Sequence, residues 1–233
     1  MTVTIEPTTA VEPAIDTAQT PASNVMLAKH LHQAIGDAIN FAGAASDTAF
    51  AAIAVVHLEV TAERLIAVAT NRYVLGITQV PYTGAPFTLT IGIEDAKVLA
   101  RLAKTAKRDE KWREVEIETG DRQATFRFTT GESKMVRATD TDFPSWRRLI
   151  PDTSRHMSLT AGYGYEQTQL ARFTKVHREP RDRMVMFGQT KDGRAGATVV
   201  HIGDHFVGVI MPARHPSDGE DAYTVPAWLA VEQ

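Results

Sequence analysis

From residue 25 onward the chain switches between stretches whose apolar residues recur every three or four positions and stretches where they alternate or run together. The first spacing belongs to a helix with one buried face, the second to strands. Over 27–42, Leu27, Leu31, Ala34, Ile35, Ala38 and Ile39 make one stripe and predict a helix. Strands follow at about 51–60, 64–70 and 73–80, each bounded by polar or turn residues. The alternating run Phe87-Thr88-Leu89-Thr90-Ile91 predicts another strand, and Glu94 to Lys107 a helix with acidic residues in its first turn. Strands near 114–119, 123–129 and 133–139 come next, with Gly120-Asp121 and Gly131 as turns. A third round opens at His156-Met157-Ser158-Leu159-Thr160, continues as a helix over about 165–177, and offers strands at 184–189, 197–202 and 205–211.

The same order, a strand, a helix and three strands, thus comes round three times as a repeat of structure and not of letters. The expected fold class is α+β: three β-α-β-β-β units with helices on one face of antiparallel sheets. Residues 25–142 would form a domain of two units and 153–214 a half domain of one. Between them, 143–152 contains Pro144 and Pro151, each of which disfavours helix at the residue before it, and predicts an extended linker. Residues 1–24, rich in Thr, Pro, Ala and acidic side chains, are expected to be a disordered tail, and 215–233 a polar C-terminal tail.

Composition narrows the chemistry. There is no cysteine among the 233 residues, which excludes disulfides, thiolate catalysis and cysteine-ligated zinc. A cytoplasmic location is expected, since no apolar run approaches the ~20 residues of a membrane-spanning helix and no signal segment opens the chain. His30 and His32 stand two apart on a helix and so on different faces, while His201 and His205 flank a Gly203-Asp204 turn. Asp140 and Asp142 have no nucleophile or base beside them, and Gly162-Tyr163-Gly164-Tyr165 lacks the lysine of a phosphate loop. Neither a catalytic residue, a metal nor a cofactor is expected.

The net charge of -3 argues against a nucleic-acid partner until its distribution is considered. In the second helix Lys97, Arg101, Lys104 and Arg108 share one side, opposite Val98, Leu99, Leu102, Ala103 and Ala106. The third helix turns Leu170, Phe173 and Val176 inward and Arg172 and Lys175 outward; the first offers only Lys29. One such stripe is usually a solvated face. Two at equivalent positions of a repeat point to a concave cationic surface that binds phosphates without reading sequence. For Arg147-Arg148 a solvated linker and a functional rim remain equally open, and Trp146 reads as a packing anchor.

Three segments carry a family resemblance. Ala69-Thr70-Asn71-Arg72-Tyr73-Val74-Leu75-Gly76 resembles the Ala-Thr-Asp-Gly-x-Arg-Leu-Ala segment of bacterial beta sliding clamps, the beta subunit of DNA polymerase III. Phe143-Pro144-Ser145-Trp146-Arg147-Arg148-Leu149-Ile150-Pro151 is similar to their Phe-Pro-x-Tyr-Arg-Arg-Val-x-Pro linker, and Val209-Ile210-Met211-Pro212-Ala213-Arg214 to their Val-Val-Met-Pro-Met-Arg ending. Arg72 stands in place of the family's glycine, Val74 of its arginine and Ala213 of its last methionine. The resemblance implies a non-enzymatic clamp on double-stranded DNA, indifferent to sequence, with a cleft that receives short peptide motifs from DNA polymerase, clamp loader or repair proteins. Carried over by position, that cleft comprises Thr70, Arg72, Tyr73, Leu75, Pro144, Arg148, Leu149, Val209, Met211 and Pro212. A clamp subunit has six such units where this chain has three, which implies a homo-oligomer, with a tetramer restoring the usual dozen. The alternative is a clamp-like adaptor or decoy that binds the same partners without encircling DNA.

Overall fold

The structure, a computed structural model, describes residues 24–44, 53–105, 108–150, 163–176, 178–188, 190–191 and 194–213. The expected tails and the strand at His156–Thr160 lie outside these residues, apart from Asn24.

Strand β1 (Val25–Leu27) leads straight into helix α1 (Ala28–Ile39), whose buried side is Ala28, Leu31, Ala34, Ile35, Asp37 and Ala38. The helix has no side-chain cap; the Ala28 N–H instead donates to the Arg113 carbonyl at 2.8 Å. Three strands follow: β2 (Val55–Val60), β3 (Arg64–Thr70) and β4 (Val74–Pro81). Strand β5 (Phe87–Gly92) then leads into α2 (Ile93–Ala103), which has Glu94 and Asp95 in its first turn and Arg101 in its last, the arrangement that the helix dipole favours. After it come β6 (Glu114–Gly120), β7 (Gln123–Phe128) and β8 (Ser133–Arg137).

The remaining elements are α3 (Gln167–Phe173), β9 (Met184–Phe187), a small hairpin of β10 (Thr190–Lys191) and β11 (Arg194–Ala195), then β12 (Thr198–Ile202) and β13 (Phe206–Ile210). The hairpin was not legible in the sequence.

Two antiparallel sheets carry the fold. One is four-stranded, in the order β1-β6-β7-β8; the other is seven-stranded, in the order β5-β2-β3-β4-β13-β12-β9. Between the two helical stretches the first strands are exchanged: β1 pairs with β6, and β5 pairs with β2. Helices α1 and α2 lie against each other, with a ring nitrogen of His32 at 2.8 Å from the Ala100 carbonyl, and one apolar core joins both helices to both sheets.

The seven-stranded sheet is continuous because β4 pairs with β13, and at that seam Gly76 sits opposite Gly208. Both glycines are required by close approach. A Cβ on Gly76 would lie 2.3 Å from the Phe41 ring, and one on Gly208 would lie 2.5 Å from Phe173 and 2.9 Å from the Leu75 carbonyl. Phe41, Phe173 and Phe206 fill the space so freed, with centroids 4.9, 5.2 and 6.1 Å apart. This aromatic cluster fastens α3 and β13 to α1.

Three expectations are corrected. Helix α2 stops at Ala103 and not at Lys107: Lys104 turns to ψ 124, and a separate 3-10 turn covers Arg108–Trp112. There the Arg113 guanidinium donates to the Leu102 carbonyl at 2.8 Å, a cation placed at the helix's negative end. Helix α3 is shorter than 165–177, ending at Phe173. The linker is not extended throughout: Trp146–Leu149 is a 3-10 turn that buries Trp146. The proline rule acts only on the preceding residues, and Ile150 before Pro151 is indeed extended, at ψ 117.

Candidate peptide cleft and cationic helix face

Strands β3 and β4 are apolar on both faces. Leu65, Ala67, Ala69, Val74 and Val80 belong to the helix-side core. On the opposite face Val68, Leu75, Ile77 and Val209 join Trp146 in a second buried cluster, with Ile66, Phe143, Ile150 and Ala197 packed against it. The seam register puts Leu75 directly across from Val209, and the Met211 N–H donates to the Tyr73 carbonyl at 3.0 Å just beyond the strand ends. Leu75 and Val209 thus lie side by side within this buried cluster. Tyr73 (60% exposed), Leu149 and Met211 (both 48%) leave apolar surface open above them. Pro144 and Arg148 are exposed, and Pro212 is half-buried.

Thr70 is buried and serves the β3–β4 turn: its hydroxyl donates to the Val74 carbonyl at 2.8 Å and accepts the Arg72 N–H at 3.1 Å. The side-chain carbonyl of Asn71 accepts the N–H groups of Tyr73 and Val74, and its amide donates to Gln169 of α3 at 2.8 Å. Arg72 has φ 80, the left-handed region that favours glycine. The geometry explains why a glycine suits this position of the motif.

The linker is clasped to the sheet beside these residues. Arg147 makes a two-pronged ion pair with Glu59 at 2.6 and 2.7 Å, and its guanidinium lies 4.1 Å from the Trp146 ring centroid. Hydrogen bonding from Arg147 holds the Glu59 carboxyl below the usual range, and the same bond raises Arg147. Phe143 stacks on His57 at 4.8 Å with ring planes 3° apart. Burial lowers the pKa of His57, with the Arg147 charge adding to it. Of the Arg147-Arg148 pair, the first is therefore a clasp, and the second is exposed.

The cations divide similarly. Lys97, Arg101 and Lys104 are exposed, as are Lys29 and Lys175. Lys97 pairs with Glu94 at 2.7 Å, and Lys29 lies 5.9 Å from the Trp112 ring centroid. Val98, expected on the packing side of α2, is exposed. Arg172, expected outward, is half-buried: its guanidinium donates to the Asn40 carbonyl at 2.6 Å at the end of α1, and burial lowers its pKa. It offsets the negative end of that helix and is taken up by the fold. Nothing is described of the Arg108 side chain.

Sequence reasoning did not single out Ile66, Val68 and Ile77, which pack in the same cluster as Leu75 and Val209. The signal was present, since the unbroken apolar run Leu65–Ala69 marks a strand covered on both faces. It also missed buried Asp37, whose carboxylate accepts a hydrogen bond from Thr78 at 3.1 Å. A cavity of about 300 Å³ opens elsewhere, between β5 and the β6–β7 turn, where Arg122 is paired with Asp140. Among the described residues no group of three or more metal-ligating side chains occurs, and no helix is long and apolar enough to cross a membrane.

No protein-family model and no curated protein matches the chain. Solved structures do match its fold. A DNA polymerase sliding clamp from Pseudomonas aeruginosa aligns with a TM-score of 0.64 at 19% identity, over 88% of this chain and 70% of the clamp. The DNA polymerase III beta subunit of Thermotoga maritima gives 0.62 at 14% identity, over 87% and 70%. The sliding clamp of Bacillus subtilis gives 0.56 at 11%, over 87% and 67%. The chain is thus structurally similar to bacterial beta sliding clamps over nearly nine-tenths of its length, an α+β likeness of fold at low sequence identity.

Proposed function

We propose that the protein is a sliding clamp or clamp-like processivity factor: a non-enzymatic, cytoplasmic homo-oligomer that encircles double-stranded DNA and docks partners through a hydrophobic peptide cleft. The observation that carries this reading is the division of labour between the two faces of one sheet. On one face sit helices whose exposed sides bear Lys29, Lys97, Arg101 and Lys175, with Lys104 just past the end of α2. On the other, an apolar floor of Leu75, Val209 and Trp146 lies among exposed Tyr73, Leu149 and Met211. The domain of 25–142, the linker and the half domain of 153–214 are part of the proposal, as is the reading of the elements as three copies of one β-α-β-β-β unit.

Cations that point at DNA from a ring neutralise phosphates loosely, so the ring slides, and retention comes from topology instead of tight binding. The cleft takes short linear motifs from DNA polymerase, clamp loader or repair proteins, with aromatic or leucine anchors supplying most of the affinity. No metal or cofactor enters this mechanism.

The decisive measurement is retention on closed circular DNA and its loss on linearisation. Replacing Lys97, Arg101 and Lys104 together with Ala is expected to weaken DNA association and flatten its salt dependence; an unchanged salt slope would refute their role. Met211→Glu or Leu149→Glu is expected to abolish binding of partner peptides while leaving the oligomer intact. The second reading is an adaptor that offers the cleft without a ring. That reading predicts peptide binding with no difference between circular and linear DNA.

A further inference from the structure

Helices α1 and α2 carry exposed cations, and where the start of α1 meets the end of α2 stands a side chain that phosphate binding does not need. Trp112 closes the 3-10 turn after α2 and is 68% exposed, the highest value of any large apolar side chain among the described residues. Its mount is fixed by the next residue. Arg113 is buried; its N–H donates to the Glu110 carbonyl at 2.9 Å, and its own carbonyl accepts the Ala28 N–H at 2.8 Å. Its guanidinium donates to the Leu102 carbonyl at 2.8 Å and to the Thr130 hydroxyl at 2.7 Å, pairs with Glu132 at 3.0 Å, and lies 4.5 Å from the Phe128 ring centroid. The turn is thereby tied to α1, to α2 and to the turn between β7 and β8, while the indole is held out into solvent.

Two cations stand over that indole. Lys111 Nζ lies 5.0 Å and Lys29 Nζ 5.9 Å from its centroid, and both lysines are exposed. They come from different elements, so the ring and its flanking charges are brought together by the fold and not by sequence alone. An aromatic face offered between ammonium groups suits a polyanion whose phosphates alternate with flat rings. In a duplex the bases stack on one another, and an indole meets only groove edges and phosphates. In a single strand each base has a face to offer, and stacking on an aromatic side chain tolerates any base. An apolar peptide anchor would instead need concave walls around it, which a ring so exposed does not supply.

We infer that Trp112, with Lys29 and Lys111, is a stacking platform for an unpaired base, so that the helix side of the protein binds single-stranded nucleic acid in addition to duplex phosphates. The inference rests on the proposal that this side faces DNA, and adds to it the strand that leaves the duplex.

The test uses the full chain and the fluorescence anisotropy of three labelled probes of about 20 nucleotides: a thymidine strand, a strand of the same length with abasic sites throughout, and a duplex. The unaltered protein is expected to prefer the thymidine strand to the abasic one, which carries the same phosphates. Trp112→Ala is expected to weaken binding of the thymidine strand by about 5- to 150-fold and to erase that preference, with duplex binding and the thermal midpoint unchanged. Trp112→Phe, which keeps a smaller ring, should retain part of the preference. Equal affinity of the unaltered protein for the two strands would overturn the inference, as would a W112A variant that still prefers thymidine or that loses duplex and single-strand binding alike. Retention on closed circular DNA with no preference for thymidine would sink the platform and spare the clamp reading. A preference that depends on Trp112, without such retention, would do the reverse.

Discussion

In the segment from Val25 to Arg137, two helices pack on each other and on two sheets, so each is held by a partner helix as well as by strands. In the segment from Gln167 to Ala213 one short helix rests on a single sheet, and its attachment to the rest runs through the β4–β13 seam, the Phe41–Phe173–Phe206 cluster, Asn71–Gln169 and Arg172. The two segments are therefore stabilised in different ways. The first segment has a closed core; the second borrows its core from its neighbour, and its local opening should lie at the low end of the stability range.

The largest expected effect breaks that loan. Phe173→Ala removes the ring that joins α3 to Phe41 and Phe206 and should cost about 3–5 kcal/mol. Because that ring serves the attachment, limited proteolysis should cut the third segment first. Leu99→Ala in α2 should cost about 2–5 kcal/mol and lower the denaturation midpoint of the whole protein without preferential cleavage. Equal cleavage patterns for the two variants would erase the distinction between the segments.

Acid should sharpen the same contrast. Burial lowers the pKa of His30, His57 and His205 below 6.5, and the Arg178 charge adds to the shift of His30 and His205. A group whose folded value is depressed gives stability above its unfolded pKa that is lost as pH falls. Stability should therefore decline as pH drops below about 6.5. His57 lies under the linker and His205 at the turn into β13, so hydrogen exchange at β12 and β13 should quicken before exchange in β6 and β7. Uniform quickening would show that the seam is no weaker than the closed core.

The smallest effect concerns Arg72. A left-handed non-glycine residue carries about 1–2 kcal/mol of backbone strain, part of which glycine returns as unfolded-state entropy. Arg72→Gly should raise stability by under about 1 kcal/mol, read as a small upward shift in thermal midpoint. A loss would mean that the arginine side chain contributes more than the turn costs.

Much of this architecture could be read from periodicity. The apolar stripes placed α1 and α2, and the turn residues placed most strands within a few positions. What escaped was set by tertiary contacts. Lys104 leaves the helical path although its spacing continues the basic stripe, and Arg172 turns inward to reach the α1 carbonyls from the far side of the fold. No local pattern encodes either. The apolar cluster on the face opposite the helices was partly legible: the linker and the final strand were matched by motif, but the contribution of β3 depends on which face the linker covers. The turn at Trp146 was obscured by flanking prolines whose influence reaches only one residue.

The seam between β4 and β13 also has a temporal consequence. Its two strands are separated by about 125 residues of chain, so closing it is a long-range step of high contact order. At about 5–20 residues per second of synthesis, β4 emerges and waits roughly 6–25 s before its neighbour exists. Through that interval Gly76 and the Phe41 ring face an empty slot. A nascent chain with such a bare edge is exposed to wrong pairing with other chains, and slowing translation after Pro81 should lower the yield of native protein.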